Sequence, residues 1–121
     1  MLPEFLVQET TVREAGESDV LPLRNSREPN LTLTLGITHA MEHESIDVDV
    51  FASRDGNKWL PVASFTRKYY CGTYQLFLSG LEAKYLKAVW RVTRWGKGEI
   101  RPFFRFYVFL QDSVARVAGA A

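Results

Sequence analysis

Within the six residues from His39 to Glu44 stand two imidazoles and two carboxylates, His39, Glu42, His43 and Glu44, the donor types that metals and hydrogen-bonding ligands use. On a helix the four-residue spacing would bring the two histidines to one face. In a strand running into a loop it fixes no geometry, so the segment offers polar groups without specifying a metal. Cys71 is the single thiol, in the run Tyr69-Tyr-Cys-Gly72. A nucleophilic cysteine needs a base and a group that orients the base, and no such third group is visible, so a plain half-buried thiol is expected. Gly96-Lys-Gly98 lacks the strand, spacing and helix of a phosphate loop. The chain is therefore expected to bind rather than catalyse, with no catalytic residue, no metal and no cofactor.

The aromatic residues set out what such binding would use. Tyr69, Tyr70 and Trp95 can present flat apolar platforms, and His39, Glu42, His43, Arg67, Lys97 and Arg101 can supply the few oriented polar groups of a carbohydrate or other small-ligand site. A different reading starts from Arg91, Arg94, Lys97, Arg101 and Arg105, which interleave with Trp90, Trp95, Phe103 and Phe104 as in a groove that tracks a nucleic-acid backbone. The formal net charge of +1 weighs against nucleic acid. Cross-strand pairing of these arginines with Asp47, Asp49 or Glu99 is the expected role. The charge is also segregated: residues 1–50 carry 3 Arg against 10 acids, and residues 51–121 carry 12 Lys or Arg against 4 acids. Halves that fold against each other would pair these charges across strands.

The elements that must position these groups are strands. Leu31, Leu33, Leu35 and Ile37 alternate with Thr32 and Thr34, and Ile46, Val48 and Val50 alternate with Asp47 and Asp49. Asp55-Gly56, within Ser53 to Trp59, supplies the positive-φ residue of a hairpin turn. Pro61 marks the following strand, Trp59 to Phe65, as an edge or bulged strand because proline cannot donate to a ladder. Thr73 to Leu78, Tyr85 to Arg94 and Phe103 to Leu110 follow, with Glu4 to Val12 ahead and a polar loop from Gly16 to Asn30 broken only by Val20 to Leu23. The last strand has Phe103, Tyr107 and Phe109 on one face and Phe104, Phe106, Val108 and Leu110 on the other, the pattern of a central strand or one covered by a partner. Seven short strands and no sustained 3.6-residue period predict an all-β antiparallel sandwich, jelly-roll or immunoglobulin-like. One domain over residues 1–112 and a frayed tail over 113–121 fit a 121-residue chain.

Leu33-Thr-Leu-Gly-Ile-Thr-His39, the strand Ile46 to Trp59 with its Ser53-x-Asp-Gly-x-x-Trp59 turn, Ala83-Lys-Tyr-Leu-Lys-Ala-Val-Trp90, and Phe104 to Leu110 occur in an order that resembles the discoidin family. These are the coagulation-factor C-type domains of the galactose-binding-like sandwich class, and the likeness spans roughly residues 31–110. It implies a jelly roll rather than an immunoglobulin-like sandwich, and a binding module for glycans or lipid headgroups. The family's bridging cysteine pair and Trp-bearing ligand loop have no counterpart here, so the site residues are read from this chain alone.

Antiparallel strands reverse direction at each connection, which sends loops alternately to the two ends of a sandwich. Loops 39–44, 66–72 and 95–102 are expected at one end, and loops 54–58 and 79–84 at the other. The first end gathers every candidate ligand-binding residue named above. Glycan or small-ligand binding there is the leading expectation. The alternative is a protein-interaction or assembly subunit, with a partner or a second copy on Phe103, Tyr107 and Phe109. The opening residues lack a basic n-region and no run reaches a membrane span, so a soluble cytoplasmic protein is expected.

Overall fold

Two antiparallel sheets pack face to face in a computed structural model that describes residues 3–23, 30–95 and 103–112. Among the described residues nine strands run in the order β1 (Glu4–Val12), β2 (Gly16–Glu17), β3 (Leu21–Pro22), β4 (Leu31–Ala40), β5 (Glu44–Ser53), β6 (Leu60–Lys68), β7 (Gly72–Leu78), β8 (Tyr85–Arg94) and β9 (Phe104–Asp112). One sheet has the order β1-β9-β4-β7 and the other β2-β8-β5-β6, with β3 also pairing β8. The fold is an all-β sandwich, as the alternation predicts. No helix among the described residues is long and apolar enough to cross a membrane. The tail 113–121 lies outside the described residues.

The alternating side chains make the core directly. Leu33 and Leu35 of β4, Ile46, Val48 and Val50 of β5, Leu86 and Ala88 of β8, and Phe104, Phe106, Val108 and Leu110 of β9 are all fully buried between the sheets. Trp90 closes the layer edge-on to Phe106 at 5.4 Å and donates its indole N–H to the Glu14 carbonyl at 3.2 Å. β9 is central, between β1 and β4. The outward threonines of β4 depart from expectation, for Thr32 and Thr34 are buried rather than solvated. Their neighbours across the ladders, Phe77 and Gln111 beside Thr32 and Phe109 and Gln75 beside Thr34, cover them from either side.

The stretch expected to be a polar loop broken only by Val20 to Leu23 contributes two short strands, β2 and, within that break, β3, which both pair with β8. Ser18 explains the gap between them: its backbone N–H donates to Ala88 O at 2.8 Å and its hydroxyl accepts from Ala88 N at 2.8 Å, so a side chain completes the ladder. β6 is an edge strand, with a register shift beside Pro61. The charge halves meet across strands as expected, through Glu9–Arg105 at 2.7 Å, Asp49–Arg91 at 3.6 Å and Glu17–Lys87 at 3.6 Å.

The Asp-Gly hairpin is wider than a two-residue turn, because strand pairing stops at Ser53 and resumes at Leu60. Gly56 takes the positive φ (83°), while Asp55 Oδ1 accepts from Asn57 N at 2.8 Å and Lys58 N at 3.0 Å. Those backbone N–H groups, Lys58's first, together with the Ser53 hydroxyl, hold the Asp55 carboxyl below its ordinary pKa. A carboxylate depressed in the fold contributes stability that is complete above its unfolded pKa, near pH 4, and is lost as pH falls through the folded value. Asp55→Asn should therefore lower the melting temperature at pH 7 but flatten its acid dependence below about pH 4, measured by thermal denaturation across pH. An unchanged acid slope in the variant would contradict that role for Asp55.

Candidate functional site

The turns Met41–His43 and Tyr69–Cys71 and the exit of β8 at Trp95 meet at one end of the sandwich around a cleft of about 560 Å³. Its floor is Glu44, the first residue of β5, whose side chain is fully buried. Glu44 Oε1 accepts from Met41 N at 3.0 Å, and Oε2 accepts from Phe103 N at 3.0 Å and lies 3.5 Å from Arg94 Nη1. Arg94 stands opposite Glu44 in the β5–β8 register and its Nη1 also donates to Glu42 O at 3.0 Å. Trp95 N donates to His43 O at 3.0 Å. One buried ion pair thus ties the β4–β5 turn to both flanks of the β8–β9 connection. The Arg94 Nε is buried and finds no partner among the described residues. His43 takes a left-handed φ of 63°, which turns the chain sharply at the cleft's lip.

One side of the cleft is aromatic. Tyr69 meets the Trp95 ring edge-on at 5.8 Å, Tyr70 lies 6.2 Å from Tyr69, and the Tyr74 hydroxyl steadies the loop by donating to Tyr70 O at 2.9 Å. These rings stay open to solvent: Tyr69 is 38%, Trp95 53% and Tyr70 77% exposed. Exposed rings held by main-chain bonds are suited to stacking on a flat apolar ligand face, and Glu42 and His43 on the adjoining turn can accept from or donate to hydroxyl groups.

The structure brings together Glu42, His43, Tyr69, Tyr70 and Trp95. It does not bring in His39 or Arg67. The bulge between Ile37 and His39 turns the His39 imidazole onto Phe103, edge-on at 4.7 Å, and Arg13 covers Phe103 with its guanidinium 5.0 Å from the ring centre. Arg67 sits at the β6 register shift, φ 48°, where its backbone N–H bonds Asp47 and its side chain is exposed away from the cleft lining. Lys97 and Arg101 lie outside the described residues. Cys71 lines the cleft and is exposed rather than half-buried, because Tyr69-Tyr-Cys71 stands out from the sheet edge as an open turn. Sequence reasoning missed the Glu44–Arg94 pair, which is legible only once β5 and β8 are known to be neighbours.

Other recesses occur among the described residues. At the opposite end a cleft of about 690 Å³ lies under the hairpin loop, walled by Leu60, Val62, Leu78 and Leu81 and rimmed by the Arg54–Glu82 ion pair at 2.5 Å. It is larger, but aliphatic and without an aromatic wall. On the outer face of the first sheet Phe5, Tyr107 and Phe109 cluster, with Phe5 centroids 5.9 Å from Tyr107 and 5.0 Å from Phe109, beside a recess of about 330 Å³. Phe103 is at the foot of that strand with His39 and Arg13, so the three rings expected to form one partner surface divide into two places. No protein-family model and no curated protein matches this chain in sequence.

Proposed function

We propose that the protein is a non-enzymatic binding module that takes a carbohydrate, or a similar small polar ligand, in the cleft between Met41–His43, Tyr69–Cys71 and Trp95. The observation that carries this reading is the exposed ring wall of Tyr69, Tyr70 and Trp95 set on a rigid base, the buried Glu44–Arg94 pair. Sugars offer one apolar C–H face and a rim of hydroxyls, and the cleft lining holds both exposed rings and the polar side chains of Glu42 and His43. The larger cleft at the far end has aliphatic walls and lacks that pairing of ring faces with polar groups.

The strand order β1-β9-β4-β7 over β2-β8-β5-β6 supports placing the chain among jelly rolls, as the discoidin-like Asp-Gly turn and closing strands do. An exposed, unpaired Cys71 supports a reducing, cytoplasmic setting. Trp95→Ala and Tyr69→Ala should each weaken binding of a glycan identified on an array by about 2 kcal/mol, roughly thirtyfold, with circular dichroism unchanged. Equal affinity for wild type and both variants would place the ligand elsewhere. A second reading, assembly through the outer face, rests on Phe5, which is 44% exposed beside Tyr107 and Phe109. It predicts that Tyr107→Glu dissociates an oligomer while leaving glycan binding intact.

A further inference from the structure

The edges of the two sheets are not equally protected. β6 carries Pro61, Lys68 and two register shifts; β1 carries Glu4, Glu9 and two irregularities; and the edge beyond β8 is made of two-residue pieces. Charges, proline, bulges and brevity are the devices that stop a strand from pairing with another chain. β7, Gly72-Thr-Tyr-Gln-Leu-Phe-Leu78, has none of them. Its seven residues pair with β4 in unbroken register, it holds no charged residue and no proline, and among the described residues no strand pairs with its other side. Phe77, on the solvent face of this edge, is 68% exposed.

We infer that β7 is an association edge whose partner is β7 of a second copy of this chain, paired antiparallel about a two-fold axis through Gln75. This inference is independent of the ligand cleft. The register that pairs all seven residues sets Gln75 against Gln75 of the second copy, Phe77 against Thr73, Tyr74 against Leu76 and Gly72 against Leu78. Aromatic–threonine and Tyr–Leu neighbours are favourable cross-strand pairs, and no like charges meet. Charge supports the antiparallel, self-paired choice. Lys68 lies over the Tyr74 ring at 4.7 Å near the Gly72 end, and the Arg54–Glu82 pair borders Leu78 at the other. Antiparallel pairing brings each cationic end to a neutralised one and holds the two Lys68 groups about 20 Å apart, a strand length. The result is an isologous dimer with one continuous sheet of two four-stranded halves.

The self-opposed position supplies the test. Gln75 is exposed and its side chain makes one bond, 3.3 Å to Thr34 Oγ1, so charging it spares the core. Sedimentation equilibrium of the full chain should show a dimer whose dissociation constant rises at least tenfold in Gln75→Lys and again in Gln75→Glu, because each places like charges face to face. Mixing the two variants one to one should restore dimer to the wild-type level, which no loss of folding can mimic. A wild-type chain that stays monomeric at every concentration, the outcome if β7 takes a foreign peptide instead, overturns the inference. So does a dimer indifferent to both substitutions, or a mixture no tighter than either variant alone.

Discussion

Glu44→Ala should lower the free energy of unfolding by about 3–5 kcal/mol, among the largest effects of any single substitution outside the apolar core. The carboxylate is fully buried and accepts from two backbone N–H groups, Met41 and Phe103, as well as facing Arg94. Its removal strands a guanidinium whose side chain is only 12% exposed and whose Nε already has no partner among the described residues. Breaking one side of a buried pair costs more than the pair contributes, because the remaining charge loses both water and partner. Glu44→Gln keeps the shape and one acceptor and should cost less. Urea denaturation of both variants measures the difference. If Glu44→Ala unfolds at the wild-type midpoint, the pair does not hold the three loops together.

Gly36→Val should destabilise the protein by about 1–3 kcal/mol, and the penalty should vanish or reverse when Tyr107 is also replaced by alanine. Gly36 lies directly opposite Tyr107 in the β4–β9 register, and a Cβ added to it would fall into the Tyr107 ring. The ring shields the β4 backbone and meets Phe5 edge-on. A β-branched residue must push it outward, against that contact. In the Tyr107→Ala background the space is empty, and valine should be neutral or stabilise by up to about 1 kcal/mol, since glycine in a central strand is unfavourable in itself. Four denaturation curves complete the cycle, and additive effects would mean the ring does not depend on the missing side chain.

Much of the frame was readable from residue type alone. Leu31 to Ile37 and Phe104 to Leu110 alternate so regularly that their inward faces follow from period two, and both sets are buried. Counting reversals also set Met41–His43, Tyr69–Cys71 and Trp95 together, because consecutive connections must alternate ends. What could not be read depends on which strands become neighbours. An acid beginning a strand looks solvated until Arg94 of a strand fifty residues away is placed beside it. Thr32 and Thr34 look exposed until Phe77 and Phe109 close over them. His39 and Arg67 left the cleft through bulges, and a one-residue shift redirects a side chain without leaving a mark in composition.

The binding site can be tested through its own tryptophan. The chain has three indole N–H groups: that of Trp90 is donated to Glu14 O, Trp59 lies under Lys87 with Nζ 4.6 Å from its ring, and Trp95 stands at the cleft. In an NMR titration with galactose, N-acetylglucosamine and cellobiose at millimolar concentration, at least one sugar should shift the Trp95 indole resonance to saturation, with Trp59 and Trp90 unmoved. Shifts confined to residues 52–62 and 78–83, or no shift of Trp95 with any of the three, would contradict carbohydrate binding at this cleft.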